Sequence, residues 1–123
     1  MSNPIRVFIT DDHSIVRNGI KATLELIPDI EVVGEAANGR QAVEMAAALN
    51  PDVVLMDITM PRMNGMDARA DIRLHDRRAK VIMLTALDQR LIATRAVQLG
   101  ARDFLVKPVL TAQLLAAVNK ALG

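Results

Sequence analysis

The residues best suited to chemistry in this 123-residue chain are charged or hydroxyl side chains that directly follow short apolar segments. They are Asp11 and Asp12 after the first segment, Asp57 after the third, Thr85 after the fourth and Lys107 after the fifth. If the segments are parallel strands, these side chains meet at one edge of the sheet. Three carboxylates there would repel one another, so a divalent cation is expected. Mg²⁺ suits the site best, because it prefers carboxylate and carbonyl oxygens.

Most of these residues also have a plainer explanation when taken alone. Asp12 could cap the first helix, Thr85 is of a type common at strand ends, and Lys107 could be a solvated loop charge. Asp57 is harder to explain by packing, because it directly follows four apolar strand residues. A carboxylate in that position must lie at the rim of a buried sheet, where an unpaired charge is costly. Asp57 is therefore the strongest candidate for a chemical role.

The composition excludes several other classes of function. The chain has no cysteine and two histidines, which argues against zinc. Its net charge is +1 and it has no long basic run, so direct binding to nucleic acid is not expected. There is no signal-peptide pattern and no apolar run of about 18 residues. The sequence therefore predicts a cytoplasmic protein without membrane contact of its own.

Five segments rich in Val and Ile are predicted to form buried parallel strands, at residues 7–9, 32–33, 53–56, 81–84 and 104–106. Helical spacing of apolar residues fills the intervals, at about residues 15–27, 39–49, 66–74, 89–99 and 111–122. On the last of these helices the residues expected to face inward are Leu114, Leu115, Val118 and Leu122. Pro28 and Asn50-Pro51 are expected to end the first two helices. The alternation predicts one α/β domain over residues 1–123, with a doubly wound parallel sheet.

The residues at the strand ends, taken together, resemble a known family. Asp11-Asp12, Asp57 with Pro61 and Gly65, Thr85-Ala86 and Lys107-Pro108 are similar in order and spacing to the signature of response-regulator receiver domains. The segments 11–19 and 57–65 further resemble the NarL/FixJ-type branch of that family. The resemblance covers essentially the whole chain. It implies a (βα)5 flavodoxin-like three-layer sandwich whose strand order is 2-1-3-4-5.

The resemblance also implies a role for each residue of the site. Asp57 would be the nucleophile that accepts a phosphoryl group. Asp12, Asp57 and the backbone carbonyl of Thr59 would bind Mg²⁺, and Asp11 would support the ion through water. Thr85 and Lys107 would bind the phosphoryl oxygens, and Thr85 with Phe104 would form a switch acting on the surface of the fourth helix, fifth strand and fifth helix. The residues expected to shape the loops are Pro61, Gly65, Ala86 and Pro108.

Such a domain is a signalling switch rather than an enzyme. The implied partners are a sensor histidine kinase, or a small phosphodonor, and a second copy of the chain after phosphorylation. Control of transcription would require DNA binding by an output domain outside this chain. His13 is interpreted as a helix-start residue and His75 as a solvated one, so neither is a phosphohistidine candidate.

Three other functions are weighed against this one. A hydrolase with an Asp-x-Asp motif after the first strand does not fit, because the two aspartates here are adjacent. A flavin carrier would need a loop rich in glycine and hydroxyl groups at the same place, where this chain is acidic. A receiver-like module that is not phosphorylated is disfavoured because all five site positions are filled.

Overall fold

The computed structural model describes residues 4–58, 80–85, 90–107, 109 and 111–122. The strands are β1 (Ile5–Thr10), β2 (Ile30–Ala36), β3 (Val53–Asp57), β4 (Lys80–Thr85) and β5 (Asp103–Val106). The helices within the described ranges are α1 (Ser14–Glu25), α2 (Gly39–Leu49), α3 (Arg90–Gln98) and α4 (Thr111–Leu122). The predicted helix at residues 66–74 lies outside the described residues, so α3 and α4 here are the predicted fourth and fifth helices.

The five strands form one parallel sheet in the order β2-β1-β3-β4-β5. This confirms the predicted doubly wound topology and strand order. The chain moves outward in one direction from β1 to β2 and in the other from β3 to β5. The carboxyl ends of β1 and β3 are neighbours at the point where the direction reverses, which is where such sheets bind ligands.

Successive residues of each strand point to opposite faces of the sheet, and both faces are covered by helices. On one face Phe8, Val54 and Met83 pack with alanines of α2 and α3. On the other face the apolar side chains of β1, β3 and β4 pack against α1 and α4. Because both faces are buried, the strands read as continuous apolar runs.

The predicted element ends differ from the observed ones by a few residues. The strands extend beyond the apolar segments at one or both ends, and α1 ends at Glu25 rather than at Pro28. The predictions for α2 and α4 are confirmed at both ends, and α2 stops at Asn50, whose φ of 49° is left-handed. Leu122 was expected to face inward on α4 but is 39% exposed, because the small Ala117 and Ala121 pack against the sheet instead.

The pairing of β1 with β2 contains an irregularity that sets the position of Gly34. The register shifts after Val7, so that Phe8 lies opposite Gly34. A Cβ atom on Gly34 would lie 2.9 Å from Leu49 Cδ1 and 3.2 Å from the ring of Phe8. A larger residue would displace the end of the Leu49 side chain and crowd the Phe8 ring, so glycine suits the close packing of α2 against the sheet.

Candidate functional site

The candidate site lies at the carboxyl edge of the sheet, as predicted. Asp11 follows β1, Asp57 and Thr85 end β3 and β4, and Lys107 follows β5. Asp11 and Thr85 are fully buried and Asp57 is 3% exposed. The backbone of Lys107 is tied to β4, because its N–H donates to the Thr85 carbonyl at 2.8 Å. The topology therefore assembles these four side chains on one rim.

The predicted convergence of carboxylates is observed. One ligand atom from each of Asp11, Asp12, His13 and Asp57 can be chosen so that all lie within 4.8 Å of one another. Asp11 and Asp57 are buried, whereas the Asp12 side chain is 30% exposed. Three carboxylates this close repel one another, so the cluster needs positive charge from the chain or from an ion.

Lys107 supplies part of that charge. Its ammonium Nζ lies 2.6 Å from Asp11 Oδ2 and 3.3 Å from Asp57 Oδ1. Asp11 Oδ2 has no hydrogen-bond partner with good geometry among the described residues, so this close approach is an ion pair rather than an aligned hydrogen bond. Lys107 thus bridges the two buried carboxylates with one positive charge.

The electrostatic balance shows in two pKa values. Burial and the Asp11 charge raise the pKa of Asp57 from 3.8 to about 6, although Lys107 acts in the opposite direction. Burial lowers the pKa of Lys107, but the Asp11 and Asp57 carboxylates outweigh it, so that pKa lies above 10.5. At neutral pH Lys107 is charged and Asp57 is mainly ionised, at a cost that a cation would relieve.

Two residues at the site were missed by reasoning from the sequence. His13 was assigned only to the helix start, but its Nδ1 lies 2.9 Å from Asp12 Oδ1 and 3.1 Å from Asp11 Oδ1. Arg17 was given no role, but its Nη1 donates to the Asp11 carbonyl at 2.6 Å and its Nε donates to Glu35 Oε1 at 3.0 Å. The spacing of four residues between His13 and Arg17, across the start of α1, was the available signal.

The donor set at this rim fits a hard divalent cation. Asp11, Asp12 and Asp57 offer carboxylate oxygens, and their separation of a few ångströms is that of ligands around one ion. Asp11 Oδ1 accepts the His13 backbone N–H at 2.9 Å, which fixes the orientation of that carboxylate. The backbone carbonyl of Thr59, the fourth predicted ligand, lies outside the described residues.

Other predicted positions are only partly described. Pro61, Gly65, Ala86 and Pro108 lie outside the described residues. Phe104 is half-buried on β5 and pairs with Met83. Because Thr85 is two residues after Met83, Phe104 and Thr85 share one face of the sheet as diagonal neighbours.

Comparison with known proteins identifies the class to which this fold and site belong. Residues 7–119 match the response regulator receiver domain family. The chain is 47% identical to protein CcdB of Bacillus subtilis, over 96% of this chain and 98% of that one. The receiver domain of a NarL from Mycobacterium tuberculosis superposes with a TM-score of 0.90, at 36% identity and 99% coverage of both chains. CheY of Borrelia burgdorferi superposes with a TM-score of 0.89, at 30% identity, over 98% of this chain and 91% of that one.

The chain therefore belongs to the response-regulator receiver family, as its residues indicated. Receiver domains act as signalling switches in two-component systems, interact with histidine kinases or phosphodonors, and bind Mg²⁺ in an acidic pocket. The relatives include NarL, which represents the predicted branch, at 35% identity, and CheY proteins at 44%, so the comparisons confirm the family and support its NarL/FixJ-type branch no more than CheY. No helix of the described residues is long and apolar enough to cross a bilayer.

Proposed function

We propose that this chain accepts a phosphoryl group on Asp57 from a histidine kinase or a small phosphodonor. The observation that carries the proposal is the position of Asp57, a buried carboxylate at the switch point of the sheet, beside two further carboxylates and 3.3 Å from Lys107. Burial and the Asp11 charge raise the pKa of Asp57 to about 6, and a carboxylate perturbed in this way at a sheet edge is typical of a functional site.

The chain's own residues account for the proposed reaction. A carboxylate oxygen of Asp57 forms a bond to phosphorus while the bond from phosphorus to the donor, a P–N bond in phosphohistidine, breaks and its electrons leave with the imidazole. The Lys107 ammonium can pair with the negative charge that develops on the phosphoryl oxygens, because it already lies between Asp11 and Asp57. The Thr85 hydroxyl is assigned to another phosphoryl oxygen.

Asp12 and Asp57 would hold Mg²⁺, with Asp11 behind them. The ion, when bound, neutralises the charge on the transferring group. CheY of Borrelia burgdorferi was solved as a complex with CheX, BeF₃⁻ and Mg²⁺, and this supports Mg²⁺ as the ion for this chain. Asp11 is suited to a supporting role, because Lys107 occupies its Oδ2 and the His13 backbone holds its Oδ1.

The test compares two aspartates that flank the same strand, Asp57 at its end and Asp52 just before it. Wild type, Asp57→Asn and Asp52→Asn are incubated with acetyl phosphate and Mg²⁺ and their intact masses are measured. Wild type and Asp52→Asn should gain one phosphoryl group, and Asp57→Asn should gain none. Equal labelling of Asp57→Asn, or no labelling of wild type in Mg²⁺, would refute the proposal.

We further propose that the output is transmitted through Thr85 and Phe104. Phe104 lines a groove of about 610 Å³ beside β5 and α4, so a change in its rotamer alters a surface that a partner or second copy can contact. BeF₃⁻ should shift the NMR resonances of Phe104 in wild type and shift them less in Thr85→Ala. Equal shifts in both proteins would mean that Thr85 and Phe104 are not coupled.

Control of transcription, as the name of the related DegU suggests, would be exerted through a separate output domain.

A further inference from the structure

The peptide that joins Asp11 and Asp12 lies just beyond the sheet. Strand β1 ends at Thr10, and the Asp11 N–H still donates to the Ala36 carbonyl of β2 at 3.2 Å. The Asp11 carbonyl, in contrast, accepts a hydrogen bond from Arg17 Nη1 at 2.6 Å. A side chain of α1 therefore takes over from the strands where β1 leaves the sheet.

Arg17 is itself held from a second side. Its Nε donates to Glu35 Oε1 at 3.0 Å, and Glu35 directly precedes Ala36 on β2. The planar guanidinium carries several donors in a fixed arrangement, so it can make both bonds at once. Hydrogen bonds from a charged donor are also shorter and stronger than neutral ones. The Asp11–Asp12 peptide is thus clamped between α1 and β2.

Lys21 lies one helical turn after Arg17 and shares the same carboxylate. Its Nζ is 3.6 Å from Glu35 Oε2, and its side chain is 43% exposed. Within the described part of the chain, Lys21 makes no hydrogen bond or ion pair with Asp11. Pairing with Glu35 therefore joins α1 to β2 for both residues, whereas Arg17 alone of the two reaches the site.

Asp12 is the carboxylate most dependent on this peptide, because its side chain is 30% exposed while that of Asp11 is fully buried. We propose that Arg17 is a positioning residue for phosphorylation of Asp57, which places the Asp12 carboxylate by fixing the peptide before it. The inference rests on the proposed function and adds a residue outside the carboxylate cluster. A misplacement of about 1 Å can slow a reaction by up to about 100-fold.

The first test measures the rate of phosphorylation by acetyl phosphate at saturating Mg²⁺, where weaker ion binding no longer limits the rate. Arg17→Met should lower the maximum rate about tenfold. Arg17→Lys keeps the charge without the fork of donors and should recover part of the loss. Lys21→Met is the matched control and should match wild type, because the bond from Arg17 to Asp11 remains. Circular dichroism checks the fold, and if Arg17→Met does not fold, Arg17→Lys decides.

A second readout needs neither metal nor phosphodonor. NMR relaxation of the metal-free chain should show a more mobile Asp12 amide in Arg17→Met and Arg17→Lys than in wild type and Lys21→Met. An unchanged Asp12 amide, a wild-type maximum rate in the Arg17 variants, or an equal loss of rate in Lys21→Met would overturn the inference. If wild type gains no phosphoryl group, the proposed function fails, and the Asp12 amide still decides whether Arg17 positions this peptide.

Discussion

Strand β3 has an aspartate at each end, and the two are held in opposite ways. Asp52, before the strand, is exposed; its Oδ2 accepts the Arg6 backbone N–H at 2.9 Å, and its own N–H donates to the Arg6 carbonyl at 2.8 Å. Asp57, at the carboxyl end, is buried beside other carboxylates and has a raised pKa. The amino edge satisfies its charges locally, whereas the carboxyl edge concentrates charge that the fold alone does not neutralise. The buried carboxylates therefore lower the stability of the fold at the edge where function is proposed.

The largest effect is expected from removing the positive charge at the carboxyl edge. Lys107→Met leaves Asp11 and Asp57 without their shared cation, and we expect it to lower the free energy of unfolding by about 2 kcal/mol at pH 8 without metal. Urea unfolding measures this. Lys120→Met, at an exposed lysine of α4, should change little.

A double variant shows whether the loss is electrostatic. If repulsion causes it, Asp57→Asn added to Lys107→Met should recover most of the lost stability, because one of the two carboxylates is gone. Additive effects of the two substitutions would mean that Lys107 stabilises the protein by packing, and the contrast between the two edges would lose its electrostatic basis.

The next effect is a dependence of stability on pH. The pKa of Asp57 is 3.8 without the fold and about 6 within it, so the folded state binds this proton more tightly. The resulting stabilisation is complete below the unfolded value and is lost as pH rises through about 6. Metal-free wild type should therefore lose on the order of 1 to 2 kcal/mol relative to Asp57→Asn between pH 4 and pH 7, after allowing for screening by water.

The matched comparison is Asp52→Asn. Asn at this position still offers an oxygen to the Arg6 N–H, so the difference in stability between Asp52→Asn and wild type should change less over this pH range than the difference between Asp57→Asn and wild type. Denaturant unfolding at pH 4, 5, 6 and 7 gives both differences. If the free energies of unfolding of wild type and Asp57→Asn change with pH in the same way, burial of Asp57 does not destabilise the protein.

The fold was predictable because its signals are local and repeated. The runs 53–56 and 81–84 are apolar on both faces, which only a strand buried on both sides tolerates, and Asn50-Pro51 marks a helix end that the structure reproduces. The prediction for Leu122 was wrong because helical spacing alone does not show that alanines 117 and 121, rather than Leu122, form the buried face of α4. Element ends depend on such packing, which lies outside any local pattern.

The sequence predicted which residues form the site, but it did not predict the contacts between them. Asp11, Asp57 and Lys107 were identified because strand ends share one edge, a consequence of topology. The contacts of His13 with two carboxylates depend on a side-chain rotamer and on the entry of the chain into α1, which spacing does not fix. The ammonium position between Asp11 and Asp57 is likewise a result of three-dimensional charge balance.

The smallest predicted effect compares two arginines, each holding a backbone carbonyl at one edge of the sheet. Arg6 Nη1 donates to the Asn50 carbonyl at 3.1 Å in an exposed position. Arg17 Nη1 donates to the Asp11 carbonyl at 2.6 Å, and its side chain is 16% exposed and paired with Glu35. A partly buried charged hydrogen bond contributes more than an exposed one, so Arg17→Met should lower the free energy of unfolding by about 1 kcal/mol and Arg6→Met by less than about 0.5 kcal/mol.

The two substitutions should differ more clearly in metal binding than in stability. Arg17 fixes the peptide between Asp11 and Asp12, so its loss lets the Asp12 carboxylate move and should weaken Mg²⁺ binding by up to roughly tenfold. Arg6 anchors only the amino edge, and Arg6→Met should leave Mg²⁺ affinity unchanged. Glu35→Gln, which removes the charge that orients Arg17, should give an intermediate loss. Calorimetric titration with Mg²⁺ measures all three. Equal affinities in Arg17→Met and Arg6→Met would mean that the rim is rigid without Arg17, and that the carboxylates are positioned by the β1 backbone alone.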